Sequence, residues 1–128
     1  MRLALIPLLL LAGSAAADTH RSDRDDLAAQ LAGRVAGPPQ DCVSMDSTAN
    51  LRPIDSKTLV LDHGITFYVN HLRGSCPGME PTDTIIYEAN GSRYCRGDHF
   101  RTRPFGGSAV PGPICVLGEF VPYRRPVR

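Results

Sequence analysis

Tryptophan is absent, and aromatic residues make up only 6% of the 128-residue chain. A platform of stacked rings for sugars or single-stranded nucleic acid is therefore not indicated. Neither sign of charge dominates, with 14 Lys and Arg against 13 Asp and Glu. Phosphate-backbone binding needs a clustered basic surface, so nucleic acid is not expected as a partner. No apolar run reaches the roughly 20 residues of a spanning helix. The cysteines do not fall into C-x-x-C pairs, which argues against a zinc framework and a thiol-redox centre. Gly106-Gly107-Ser108-Ala109-Val110 lacks the closing glycine of G-x-S-x-G, and no glycine-rich phosphate loop is present. No metal and no cofactor is implied.

What is present begins with a leader. Arg2 supplies a positive start, Leu3–Leu11 an apolar run interrupted by Pro7, and Ala15-Ala16-Ala17 a small-x-small cleavage site. Residues 1–17 read as a signal peptide with Asp18 as the new N-terminus. No cysteine follows it directly, so no lipid anchor is expected, and the mature chain should carry no integral membrane segment. Its charges balance once Arg2 is removed. The chain carries 4 cysteines, Cys42, Cys76, Cys95 and Cys115. An even count in an exported chain reads as structural disulfides. A single domain of roughly 110 residues has a marginal apolar core, and cross-links are a common remedy.

Residues 18–39 form a polar segment and one helix. Ser22 can cap it, Asp23, Asp25 and Asp26 suit its positive end, and Leu27, Leu31 and Val35 form one apolar stripe. The spacing predicts a helix over Asp23–Ala36, stopped by Gly37-Pro38-Pro39. Residues 40–123 read as the β domain. Cys42–Ser44 and Leu51–Asp55 are strand-like, with Pro53 marking an edge or irregularity. Thr58–Asp62 and Ile65–Asn70 flank His63-Gly64, a two-residue hairpin turn, and Ile65, Phe67 and Val69 alternate with Thr66, Tyr68 and Asn70. Thr84–Glu88 and Ser92–Arg96 flank Ala89-Asn90-Gly91, a second hairpin signal; Asp98–Arg103 continues past a bend at Gly97. Pro104–Pro113 is a Gly/Pro loop, and Ile114–Pro122 the last strand, with Gly118 a candidate bulge. Residues 124–128 are a basic tail. The fold class is mainly β: a small antiparallel barrel or sandwich of about six short strands with one N-terminal helix and two disulfides. A barrel is preferred because closure removes exposed edges.

Four cysteines allow three pairings. Cys95–Cys115 is favoured, because their strands are sequential and form a hairpin around the Gly/Pro loop; Cys42–Cys76 follows. Among polar residues, the neighbours Asp62-His63 and Asp98-His99 lack a nucleophile in sequence, and adjacent strand residues point to opposite faces. Arg96-Gly97-Asp98 is better explained by a glycine at a strand bend than by cell adhesion. Asn90-Gly91-Ser92 fits a glycosylation pattern but is first a turn.

Asn70-His71-Leu72, Cys76-Pro77-Gly78-Met79, Tyr94-Cys95-Arg96-Gly97-Asp98 and Cys115-Val116-Leu117-Gly118-Glu119-Phe120 together resemble an uncharacterised family. It comprises small exported four-cysteine proteins of Gram-negative bacteria with a domain of unknown function. Cys42 matches its first cysteine, and the likeness runs from Cys42 to Pro122. Met79 and Tyr94 stand where leucine is usual, and Val69 where arginine is. The resemblance implies secretion to a bacterial periplasm and brings no known activity. The expected function is a non-enzymatic binding or structural module whose partner is an unknown protein or envelope component. The alternative is an inhibitor or accessory protein of an envelope hydrolase acting through the Phe105–Gly112 loop. The least favoured is a small hydrolase using Asp98, His99 and Arg101. If a binding site exists, Asn70, Arg96, Asp98 and Arg101 are its candidate residues.

Overall fold

The computed structural model describes residues 16–46, 50–88, 91–107 and 110–127. The leader's residues 1–15, Ala89-Asn90 of the second hairpin signal and Ser108-Ala109 of the Gly/Pro loop lie outside them.

The helix α1 (Ala16–Leu31) starts before Asp23 and stops at Leu31 rather than Ala36. Gly33 takes φ +74, the left-handed position that closes helices, and the Arg34 N–H donates to the Leu31 carbonyl at 3.0 Å. Val35 therefore leaves the stripe and enters β1 (Val35–Ala36). Leu27 and Leu31 do dock, against Ile54, Val60, Phe67 and Val69. The Arg24 guanidinium donates to the Asp55 carboxylate at 3.1 Å at the edge of this contact. Burial raises the Asp55 pKa, but hydrogen bonds from the Lys57 N–H, Thr58 and Arg24 outweigh it and leave the carboxyl below its ordinary value.

The fold is mainly β with one helix and two disulfides, as expected; the described residues form ten strands in three antiparallel sheets rather than about six. The main sheet orders β1-β10-β5-β4-β3, where β3 is Asn50–Asp55, β4 Thr58–His63, β5 Thr66–His71 and β10 Phe120–Arg124. β2 (Cys42–Ser44) pairs with β7 (Arg93–Cys95). β6 (Thr84–Tyr87), β8 (His99–Arg103) and β9 (Cys115–Val116) make the third sheet. The strands beyond expectation are β1 and the division of Ile114–Pro122 into β9 and β10; β1 and β9 are two residues long, too short to show a period of two. Among the described residues no sheet closes into the preferred barrel. The open edges are managed otherwise: β3 carries Pro53 and a register shift between Pro53 and Asp55, and β1 is only two residues long.

The expected alternation in β5 is present, and both of its faces are buried. Phe67 and Val69 face α1, while Tyr68 and Asn70 face the larger core of Leu59, Leu61, Met79, Phe100, Leu117 and Phe120. The hairpin turn is Gly64-Ile65, one residue later than expected, because His63 pairs with Thr66. Gly64 supplies the positive φ, +65, that a two-residue turn needs at its first central position. The second hairpin signal is not realised: β6 pairs with β8, and β7 turns away to β2.

The disulfides are Cys42–Cys95 and Cys76–Cys115, which corrects the favoured Cys42–Cys76 and Cys95–Cys115. The hairpin around the Gly/Pro loop does exist, but its register opposes Cys115 to Phe100. Cys95 lies instead directly opposite Cys42 across β2 and β7. Cys76, fully buried after β5, meets Cys115 in the core.

Candidate functional site

Asn70 occupies a fully buried position on β5, so its amide must find partners inside the protein. It finds both in one residue. Its Nδ2 donates to the Gly118 carbonyl at 2.8 Å, and its Oδ1 accepts the Gly118 N–H at 2.9 Å. This latch fixes Leu117-Gly118-Glu119, the segment that splits the expected last strand into β9 and β10. Gly118 is a close approach: any Cβ there would fall inside the His71 carbonyl oxygen.

Asp98 closes the neighbouring turn. Its Oδ2 accepts the Cys95 N–H at 2.8 Å and the Tyr87 hydroxyl in a short hydrogen bond. Gly97, at φ +87, lets the chain reverse between β7 and β8, as the bend reading expects. The turn is locked to the latch segment in both directions: Gly97 N–H donates to the Leu117 carbonyl at 2.9 Å, and Leu117 N–H to the Asp98 carbonyl at 3.0 Å. Burial first, then the Asp98 hydrogen bond and charge, push the Tyr87 hydroxyl pKa well above that of ordinary tyrosine. Burial likewise raises Tyr94, whose ring meets that of Tyr87 edge-on with centroids 4.8 Å apart.

Arg96 reaches across the same junction, with Nη1 at 2.7 Å from Glu119 Oε1 and 3.8 Å from Asp41 Oδ1. It rims an open depression of about 360 Å³ lined by His71, Arg73, Arg96, Gly118, Glu119 and Val121. Asn70 lies beneath its Gly118 floor. Three of the four candidate residues, Asn70, Arg96 and Asp98, thus converge on one junction. Arg101 does not: its Nη1 donates to the Gly112 carbonyl at 3.0 Å, tying the base of the Gly/Pro loop. His99 is exposed at the start of β8, while Asp98 is engaged by Tyr87 and the Cys95 N–H. His63 sits not with Asp62 but 2.7 Å from Asp46 Oδ2.

The roles of Tyr87 and Glu119 were not legible in the sequence. Each acts through a partner placed by long-range pairing, and no local pattern marks them. Chemically, the junction holds loops. Its carboxylates and guanidinium neutralise one another, and all four cysteines are oxidised. Among the described residues, no three His, Cys, Asp or Glu side chains gather as a metal site, and no helix is long and apolar enough to cross a membrane. No protein-family model matches the chain, and no curated protein or solved structure is significantly similar to it.

Proposed function

We propose that the protein is an exported, non-enzymatic module of the bacterial periplasm that binds or braces another envelope component. One observation carries this reading: the polar side chains best placed for chemistry serve the fold. Asn70 holds Gly118, Asp98 holds the Cys95 N–H and Tyr87, and Arg101 holds Gly112. Two disulfides suit an oxidising compartment. The signal peptide at residues 1–17 and the resemblance to small exported proteins of Gram-negative bacteria supply the route and the setting. Expression of the full chain in a Gram-negative host tests this. The expected product is periplasmic, begins at Asp18 and has no free thiol. A cytoplasmic product that retains Met1 and four free thiols would refute it.

A second reading, an inhibitor or accessory protein of an envelope hydrolase, is favoured by the Phe105–Gly112 loop. Phe105 and Val110 stand exposed on it, while its base is tied to β8. A segment tied at its base loses less entropy on binding than a free one. Recovery of a hydrolase with the wild type but not with a loop-shortened variant supports this reading; equal recovery removes it. Hydrolysis by Asp98, His99 and Arg101 is the least supported, and equal turnover by wild type and His99→Ala in an activity screen would end it.

A further inference from the structure

The outer face of the β6-β8-β9 sheet is exposed at Thr84, His99 and Arg103 and half-buried at Ile86, Arg101 and Val116. Along β8, Phe100 and Thr102 turn inward and are buried, so His99, Arg101 and Arg103 alternate outward. The register sets Ile86 beside Arg101, Thr84 beside Arg103 and Val116 beside His99. A basic stripe therefore runs with Ile86 on one side and Val116 on the other.

Past Arg103 the chain enters the Gly/Pro loop, where Phe105 is 83% exposed and Val110 73%; Ile114, before β9, is 53% exposed. The loop is held at its base. Gly112 N–H donates to the Thr102 carbonyl at 2.8 Å, Arg101 donates to the Gly112 carbonyl, and Cys115 is cross-linked to Cys76. Pro104, Pro111 and Pro113 restrict it further. The apolar side chains are thus presented at the end of the cationic stripe. In the turn before β6 the exposed Glu80 lines a depression with Arg24 and Asp55. Asp83 is buried and accepts the Glu80 N–H, and Glu88 stands at the far end, where its N–H meets the His99 carbonyl.

We propose that this face docks on an anionic lipid surface. Phe105 and Val110 enter the boundary between headgroups and acyl chains, and Arg101 and Arg103 lie against the lipid phosphates. Exposed apolar side chains beside guanidiniums are the arrangement interfacial anchoring requires, since arginine stems lie along apolar matter while their heads stay hydrated. A protein partner would have to offer a fitted pocket for each projecting side chain, whereas a fluid layer accommodates them without one. The inference rests on the reading of the chain as a binding module and names its partner.

The test is sedimentation of the full chain with vesicles of phosphatidylcholine, with and without phosphatidylglycerol. All variants share one N-terminus, so residues 3–11, if retained, contribute equally. Binding is expected only with phosphatidylglycerol and should weaken with salt. Arg103→Gln should lower the partition coefficient about fivefold and Phe105→Ser about tenfold. Ile65→Ser, which removes an equally exposed side chain in the β4–β5 turn, should leave it unchanged. Equal partition onto both vesicle types, an equal loss with Ile65→Ser, or binding to an acidic protein but not to vesicles would overturn the proposal. A processed, disulfide-bonded periplasmic protein that ignores vesicles would sink this inference alone. A chain that is never exported would sink the reading beneath it.

Discussion

Removing the Asn70 amide should unlatch the junction, and the size of the effect follows from the geometry. Asn70→Ala deletes two hydrogen bonds at once and strands the Gly118 N–H and carbonyl beside a fully buried position. Each stranded group costs about 1–3 kcal/mol, so the loss should be about 4 kcal/mol. A domain of this size has a total stability of about 5–15 kcal/mol, so the variant should lose a large fraction of it. In guanidinium chloride, with a slope of about 3 kcal/mol per molar, the midpoint should fall by more than about 1 M at an unchanged slope. Asn70→Asp sharpens the test. A neutral carboxyl of the same shape can accept the Gly118 N–H and donate its O–H to the Gly118 carbonyl; once ionised it has no donor and faces that carbonyl. Burial and the lost donor hold its folded pKa above the ordinary aspartate value of about 3.9. Its stabilising contribution is therefore complete below about pH 4 and is lost as pH rises through the folded pKa. A midpoint for Asn70→Ala within about 0.3 M of wild type, or an Asn70→Asp stability indifferent to pH, would refute the latch.

Non-reducing digestion should release linked peptides holding Cys42 with Cys95 and Cys76 with Cys115; a Cys42–Cys76 peptide would contradict the fold. The loops closed span 53 and 39 residues. Breaking either bridge by a paired Cys→Ser change should therefore lower stability by about 4 kcal/mol by the chain-entropy estimate. Gly118→Ala should destabilise by at least about 3 kcal/mol in thermal melts, because the His71 carbonyl occupies the space a methyl would need. In an ultraviolet titration Tyr87 should ionise at a higher pH than an ordinary tyrosine. Its folded pKa lies above the unfolded 10.0, so its contribution is complete below pH 10 and lost above it, and Tyr87→Phe should flatten that alkaline loss. Asp55, with its folded pKa lowered, contributes stability above about pH 4 that fades as the solution becomes more acidic. Asp55→Asn should weaken that acid dependence, read as the midpoint of acid unfolding.

What the sequence made legible was local. The β4–β5 hairpin announces itself through Phe67 and Val69 alternating with Tyr68 and Asn70, and its turn was displaced by only one residue. Pro53 marked an edge strand because a residue without an N–H cannot sit between two partners, and β3 is an edge. The helix stripe was sound as far as Leu31; its failure at Val35 came from Gly33, where the backbone turned left-handed. Pairings across long stretches of chain were hidden. Nothing near Cys95 signals that β7 leaves its sequence neighbours for β2, so proximity in sequence favoured the wrong cysteine partners. The candidate residues were legible as polar strand ends, and three of them do meet. Their role was not, because an asparagine facing solvent and one buried against Gly118 have the same sequence context.

The placement of β10 has a consequence for how the chain comes to be folded. It follows every other strand in sequence, yet it lies inside the main sheet, between β1 and β5. Until Phe120–Arg124 has emerged, the β3-β4-β5 meander ends in a raw margin along Phe67–Asn70, among the most apolar backbone in the molecule. A nascent or clipped polypeptide that stops short of it is sticky rather than half-native. Assembly is thereby deferred until the whole β region is on hand, and a chaperone guarding the incomplete product would find its target on that one strand.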